Sequence, residues 1–240
     1  KNHPDIFASE AAVQFYVACV TEALQHLHQL RMLHRDVKAQ NVLLDSRSGY
    51  AKLCDLGVSR FLLSKTRTWC GTPHFMAPEI IAHECYGFEV DWWALGVLTY
   101  MLLHDGGQTP WEEIAQRAAW RDEDFPILLH AQRAMKRKTL MDRLAASTSA
   151  AAKSFIEELL APDPSQRLGA TGAKQVKAHA WFTGFDFCSL LNSSMAAPYL
   201  PEAYVKKGPA PDLQDAVLLQ GHWDRGLLGE RLFSQKMPLR

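Results

Sequence analysis

The 240-residue chain has no surplus of charge of either sign, with 26 Lys and Arg against 26 Asp and Glu. A protein that binds polyanions needs a basic excess to attract them, so neither nucleic acid nor an acidic membrane surface is expected as a partner. The cysteines Cys19, Cys54, Cys70, Cys85 and Cys188 are odd in number and show no C-x-x-C spacing. That argues against a disulfide framework or zinc site and predicts a reducing, intracellular, cytoplasmic setting. No three glycines are spaced as in G-x-G-x-x-G, so a phosphate-cradling loop of that type is missing. The most apolar stretch, Trp92 to Leu103, is too short to span a bilayer and predicts a helix buried in a core. There is no signal peptide, no internal repeat and no initiating Met, the last of which predicts a piece of something longer. Lys136-Arg137-Lys138 with Arg133 is the main basic cluster and reads as a solvated helix face or loop, with substrate docking the lesser alternative.

Local patterns place the elements. Ser9 is suited to cap a helix whose apolar positions Val13, Tyr16, Val17, Val20, Leu24 and Leu27 recur at three- and four-residue steps. Val42 to Leu44 and Ala51 to Cys54, separated by the polar turn 45–49, predict a small hairpin. Residues 58–76 are polar and irregular, with Ser64, Thr66 and Thr68 expected to be exposed. A buried helix is expected from Asp91, and another from about Ala150 to Leu160, stopping before Pro162. Between them, 111–147 is mixed and weakly periodic. Beyond Phe187 the prolines at 198, 201, 209 and 211 predict an extended tail, and no fold is evident for 212–240.

Chemistry concentrates in His34-Arg35-Asp36-Val37-Lys38-Ala39-Gln40-Asn41 and, after the hairpin, Asp55-Leu56-Gly57. Asp36 is suited to accept a hydrogen bond, and late in a reaction a proton, from an attacking hydroxyl. Lys38 would offset negative charge on a transferring group. Magnesium takes oxygen ligands, one or two from side chains and the rest from phosphate and water, which suits Asn41 and Asp55. Singly, each motif reads as a capped turn. Their joint order, with Ala77-Pro78-Glu79 following, matches the protein-kinase signature set.

With Thr68-Trp69-Cys70-Gly71-Thr72-Pro73, Val90-Asp91-Trp92-Trp93-Ala94-Leu95-Gly96 and Pro164-Ser165-Gln166-Arg167-Leu168-Gly169 also in view, the chain resembles the serine/threonine protein kinases. Within them it is similar to the AGC-type, cyclic-nucleotide-dependent branch. Phe15 to Val20 and Gly184-Phe185-Asp186-Phe187 are especially similar to cGMP-dependent kinases. The resemblance covers about residues 5–190. It implies a mainly α fold: a kinase large lobe over 1–187 with a β-hairpin at the active site, the β-rich small lobe absent, and a tail over 188–240. It implies ATP and Mg2+ as cofactors, a protein substrate, and a cyclic-nucleotide-binding regulatory region outside this chain.

Residue by residue, the resemblance implies that Asp36, Lys38 and Thr72 are catalytic, with Thr72 bonded to the other two. Leu43 would be the floor under adenine, and Asn41 and Asp55 would hold metal and nucleotide. Thr68 would be the phosphorylated position, gripped by Arg35 and Arg60. Trp69, Pro73 and Met76 would form an apolar pocket for the residue after the target. Glu79 with Arg167, and Asp91, would be structural. Cys54 would be buried and unreactive.

The sequence departs from that pattern in places. Leu56 replaces a Phe. Gln40 and Met101 stand where the branch carries glutamates that bind an arginine before the target residue, which predicts a weaker demand for that arginine. The tail lacks the branch's adenine-contacting N-F-D and its terminal F-x-x-F. An inactive kinase-fold module, as a pseudokinase or truncated product, is therefore the competing expectation.

Overall fold

The computed structural model describes residues 9–117, 121, 123–134, 137–201 and 217–218, and of 115–117, 137–138 and 217–218 the backbone alone. Helices dominate. Helix α1 (Glu10–Gln29) starts where the Ser9 hydroxyl accepts the Ala12 N–H at 3.2 Å. Of the stripe expected from sequence, Val13, Tyr16, Val17, Val20 and Leu24 are buried, while Leu27, near the exposed end of the helix, is half-buried. After β1 (Met32–Leu33) come β2 (Val42–Leu44) and β3 (Ala51–Leu53), the expected hairpin, registered Val42 to Leu53 and Leu44 to Ala51. Strand β4 (Arg60–Phe61) returns antiparallel to β1.

The short α2 (Pro78–Ile81) precedes α3 (Glu89–Leu103), the central element. Fourteen of its residues are buried, because it is apolar on every side and is enclosed by neighbours rather than resting on one. It packs on α1 and on α7 (Ala150–Leu159). Gly96 permits the second contact: a Cβ there would lie 2.8 Å from Leu159 Cβ.

Three helices occupy the weakly periodic stretch: α4 (Glu112–Arg117), α5 (Asp124–Ala134) and α6 (Arg137–Met141). They are short, and α5 buries Phe125, Leu128 and Gln132 while its other face meets solvent, which dilutes any long-range period. The side chains of 136–138 lie outside the described residues, and Arg133 pairs with Glu84 at 3.1 Å. Helix α8 (Ala173–Lys177) packs on α1, as does α9 (Phe187–Leu191). The chain after Phe187 is thus first helical rather than extended, since Asp186 caps α9 by accepting the Ser189 N–H. Most of 202–240 lies outside the described residues, but β5 (Val217–Leu218) pairs antiparallel with the free edge of β2. Among the described residues, no helix is long and apolar enough to cross a membrane.

Candidate active site

The loop after β1 is held from beneath by one carboxylate. Asp91, near the start of α3 and fully buried, accepts the backbone N–H of His34 at 2.9 Å and of Arg35 at 2.8 Å. His28, from the end of α1, meets Oδ2, the oxygen that also takes the His34 amide, at 2.8 Å. Burial alone would raise the Asp91 carboxyl. The hydrogen bond and charge of His28, with the two amides, outweigh burial and hold it below the ordinary value. Arg35, held by its amide bond to Asp91, sits at a φ of 69°. The buried His34 accepts the Asp36 N–H on Nδ1 at 3.3 Å, leaving Nε2 to donate to the Cys54 carbonyl at 3.1 Å. One imidazole thereby ties the loop to the end of β3.

Asp36 is presented by this loop with three side chains converging on it. Thr72 Oγ1 donates to Oδ1 at 2.7 Å, while Lys38 Nζ lies 2.7 Å from Oδ2 and 2.7 Å from Thr72 Oγ1. Asn41 Nδ2 donates to Oδ2 at 2.9 Å and to the Asp36 carbonyl at 2.7 Å. All of these contacts except the bond to the Asp36 carbonyl join opposite charges or a charge and a dipole in a setting largely shielded from water, where such bonds are strongest. The carboxylate is therefore fixed in orientation, with an ammonium beside it.

The hairpin brings the remaining donors near. Asn41 ends the 3-10 turn Ala39–Asn41, and its carbonyl accepts the Cys54 N–H at 2.8 Å. Asp55 follows at a φ of 62°, exposed, with Gly57 N–H donating to its Oδ1 at 3.1 Å. Because the Asn41 amide nitrogen faces Asp36, its carbonyl oxygen is the atom left to ligate. One amide oxygen and one exposed carboxylate fit a hard cation that completes its shell with phosphate and water. Among the described residues, no three His, Cys, Asp or Glu gather into a metal cluster. Leu43 is half-buried, between the buried Val42 and Leu44. Burial, helped by the Asp55 charge, pushes the Cys54 thiol above its ordinary value.

Thr68 is exposed, and its hydroxyl accepts from Arg60 Nη1 at 2.6 Å. Tyr86 donates to its carbonyl. Arg35 donates through Nε to the Val58 carbonyl at 2.6 Å, while its buried Nη1 has no hydrogen-bond partner among the described residues. Thr66, in contrast to the expectation of exposure, is buried, because its backbone bridges to Tyr86 in both directions.

Trp69, Pro73 and Met76 lie on the segment leading to α2. Phe125 meets the Trp69 ring edge-on at 4.8 Å, and Gln132 Nε2 donates to the Met76 carbonyl at 2.9 Å. Both partners come from α5, and the only sequence signal for them was an apolar residue in an unassigned stretch. Gln40 is half-buried with its Oε1 unpartnered among the described residues, and Met101 is buried. Away from the site, Arg167 and Glu79 form a buried two-point pair at 2.7 and 2.9 Å.

A helical body that fixes a carboxylate, an ammonium and two oxygen donors beside one hairpin has the makings of a phosphoryl-transfer site. The model of the protein kinase domain matches residues 3–182, and the chain belongs to that family. It is 35% identical over 196 residues to the cAMP-dependent protein kinase catalytic subunit 2 of Drosophila melanogaster, covering 80% of this chain and 51% of the relative. Identity to the mouse cAMP-dependent protein kinase catalytic subunit PRKX is 36% over 198 residues, 82% of this chain and 51% of the relative. Rabbit protein kinase C zeta type is 35% identical over 199 residues, 80% of this chain and 32% of the relative. The chain thus spans about half the length, or less, of these relatives.

Proposed function

We propose that this chain is the large lobe, with its tail, of a serine/threonine protein kinase that moves the terminal phosphate of ATP to protein hydroxyls. The observation that carries this reading is the closed triangle of Asp36, Lys38 and Thr72, each side 2.7 Å. Asp36 orients the substrate hydroxyl and receives its proton, while Lys38 balances charge on the transferring group. Thr72 ties the peptide-binding segment to the catalytic loop, so the acceptor is positioned by the residues that act on it. Asn41 and Asp55 hold Mg2+, which when bound neutralises phosphate charge. Leu43 lies under the adenine. Phosphate on Thr68 is received by Arg60 and Arg35, whose buried Nη1 lacks a partner among the described residues.

The likeness to cyclic-nucleotide-dependent kinases supports a cyclic-nucleotide-binding regulatory region outside this chain, and the odd, unpatterned cysteines support cytoplasmic placement. Trp69, Pro73 and Met76 receive the residue after the target. Gln40 and Met101 offer no carboxylate to an arginine before it.

The test is transfer of labelled γ-phosphate to Ser/Thr peptides by an enzyme in which this chain follows a small lobe. Transfer that falls by about 10³-fold or more in Asp36→Ala, with ATP binding kept, is the expected result. Equal, negligible turnover by both would favour a non-catalytic interaction module.

A further inference from the structure

The structure places part of the tail on the elements assigned above to nucleotide and metal. Val217 pairs with Leu44 and Leu218 with Leu43, making β5 the third strand of the hairpin sheet. The same strand lies against the Ala39–Asn41 turn. Its position thus adjoins both Leu43 and Asn41. We propose that this tail strand gates the nucleotide site: docked on β2 it hinders ATP, and nucleotide binding and strand release favour one another. The proposal rests on the reading of Leu43 and Asn41 as nucleotide-site residues.

The ladder identifies a reporter. Asp45 N–H donates to the Tyr50 carbonyl, and the Asn41 carbonyl accepts from Cys54, so odd-numbered residues of this strand bond across to β3. Alternation then turns the Leu44 amide toward β5, while the Val42 amide is occupied by the Ala39 carbonyl. Val217, opposite Leu44, supplies the returning N–H. Proline at 217 removes that donor and cannot sit in the ladder. The pairing is two residues long and made by a segment remote in sequence, which suits a contact that opens without unfolding the helices. Binding at one site that favours opening at another must work in reverse to the same extent.

The experiment uses the 240-residue chain, its Val217→Pro variant and a version ending at Pro201. Amide exchange at Leu44 and calorimetric titration with ATP and Mg2+ are measured on each. The proposal predicts slow exchange at Leu44 in the parent, fast exchange in both variants, and ATP binding about tenfold tighter in the variants, as for a competent state populated one part in ten. Equal exchange in all three overturns it by showing that the strand does not dock. Lost protection with unchanged ATP affinity also overturns it, and leaves the nucleotide site standing. Lost protection with no ATP binding by any form also overturns gating, while the nucleotide reading is judged separately by the transfer assay behind a small lobe.

Discussion

Glu79→Ala should be among the most damaging single changes to this fold. Arg167 has no solvent exposure and spends its guanidinium on four acceptors: both Glu79 oxygens at 2.7 and 2.9 Å, the Ala161 carbonyl at 3.1 Å and the Glu89 carbonyl at 2.9 Å. Its face also lies over the Trp93 ring at 5.1 Å. Losing Glu79 removes two charge-assisted bonds of about 1.5–3 kcal/mol each. It also strands a charge away from water, for which breaking a buried pair costs about 3–5 kcal/mol in all. That is a large fraction of the ~5–15 kcal/mol that holds a typical domain together. Urea unfolding followed by tryptophan fluorescence should show the midpoint falling with little change in slope. Glu79→Leu combined with Arg167→Met should be less damaging than Glu79→Ala alone, because no charge is then left buried. A loss below about 1 kcal/mol in Glu79→Ala, or a double variant that is simply the sum of its parts, would refute the reasoning.

Asp91→Asn should destabilise by about 2–3 kcal/mol, the scale of a hydrogen bond to a charged group, and should speed amide exchange at His34 and Arg35; unchanged exchange there would count against it. Since the folded Asp91 carboxyl titrates below its unfolded value of about 3.9, its contribution is full above that pH and is lost as pH falls through the folded value. Acid titration of stability should therefore be flatter in Asp91→Asn than in the parent below that pH. Gly169→Ala sets a Cβ 2.5 Å from Trp92 Cδ1 at a φ of 94°, and thermal melts should register a loss of about 2–4 kcal/mol. In an enzyme completed by a small lobe, Gln40→Glu with Met101→Glu should strengthen selection for arginine before the target by about 10-fold or more on peptide libraries, and strong selection already present in the parent would contradict the reading.

The residues of the candidate site lie on short contiguous motifs, and that is why they are legible: residues 34–41 and 55–57 show their pattern in local spacing, while α1 and β2 show theirs in period and turn chemistry. Contacts made across sequence leave no such trace. Phe125 and Gln132 support Trp69 and Met76 from a helix whose half-exposed face blurs its period. Thr66 is polar in a polar run, and its burial follows from pairing with Tyr86, 20 residues on. The tail strand is similarly silent, since two apolar residues acquire meaning only beside the free edge of β2.

The central claim is that Asp36, Lys38, Asn41 and Asp55 converge on the outer phosphate of a nucleotide. It is tested most directly by a crystal structure of the chain behind a small lobe, grown with a non-hydrolysable ATP analogue and Mn2+. Anomalous signal bridging Asn41 and Asp55, with the terminal phosphate beside Asp36 and Lys38, is the predicted result. A metal held by neither residue, or a nucleotide seated away from the hairpin, would contradict it.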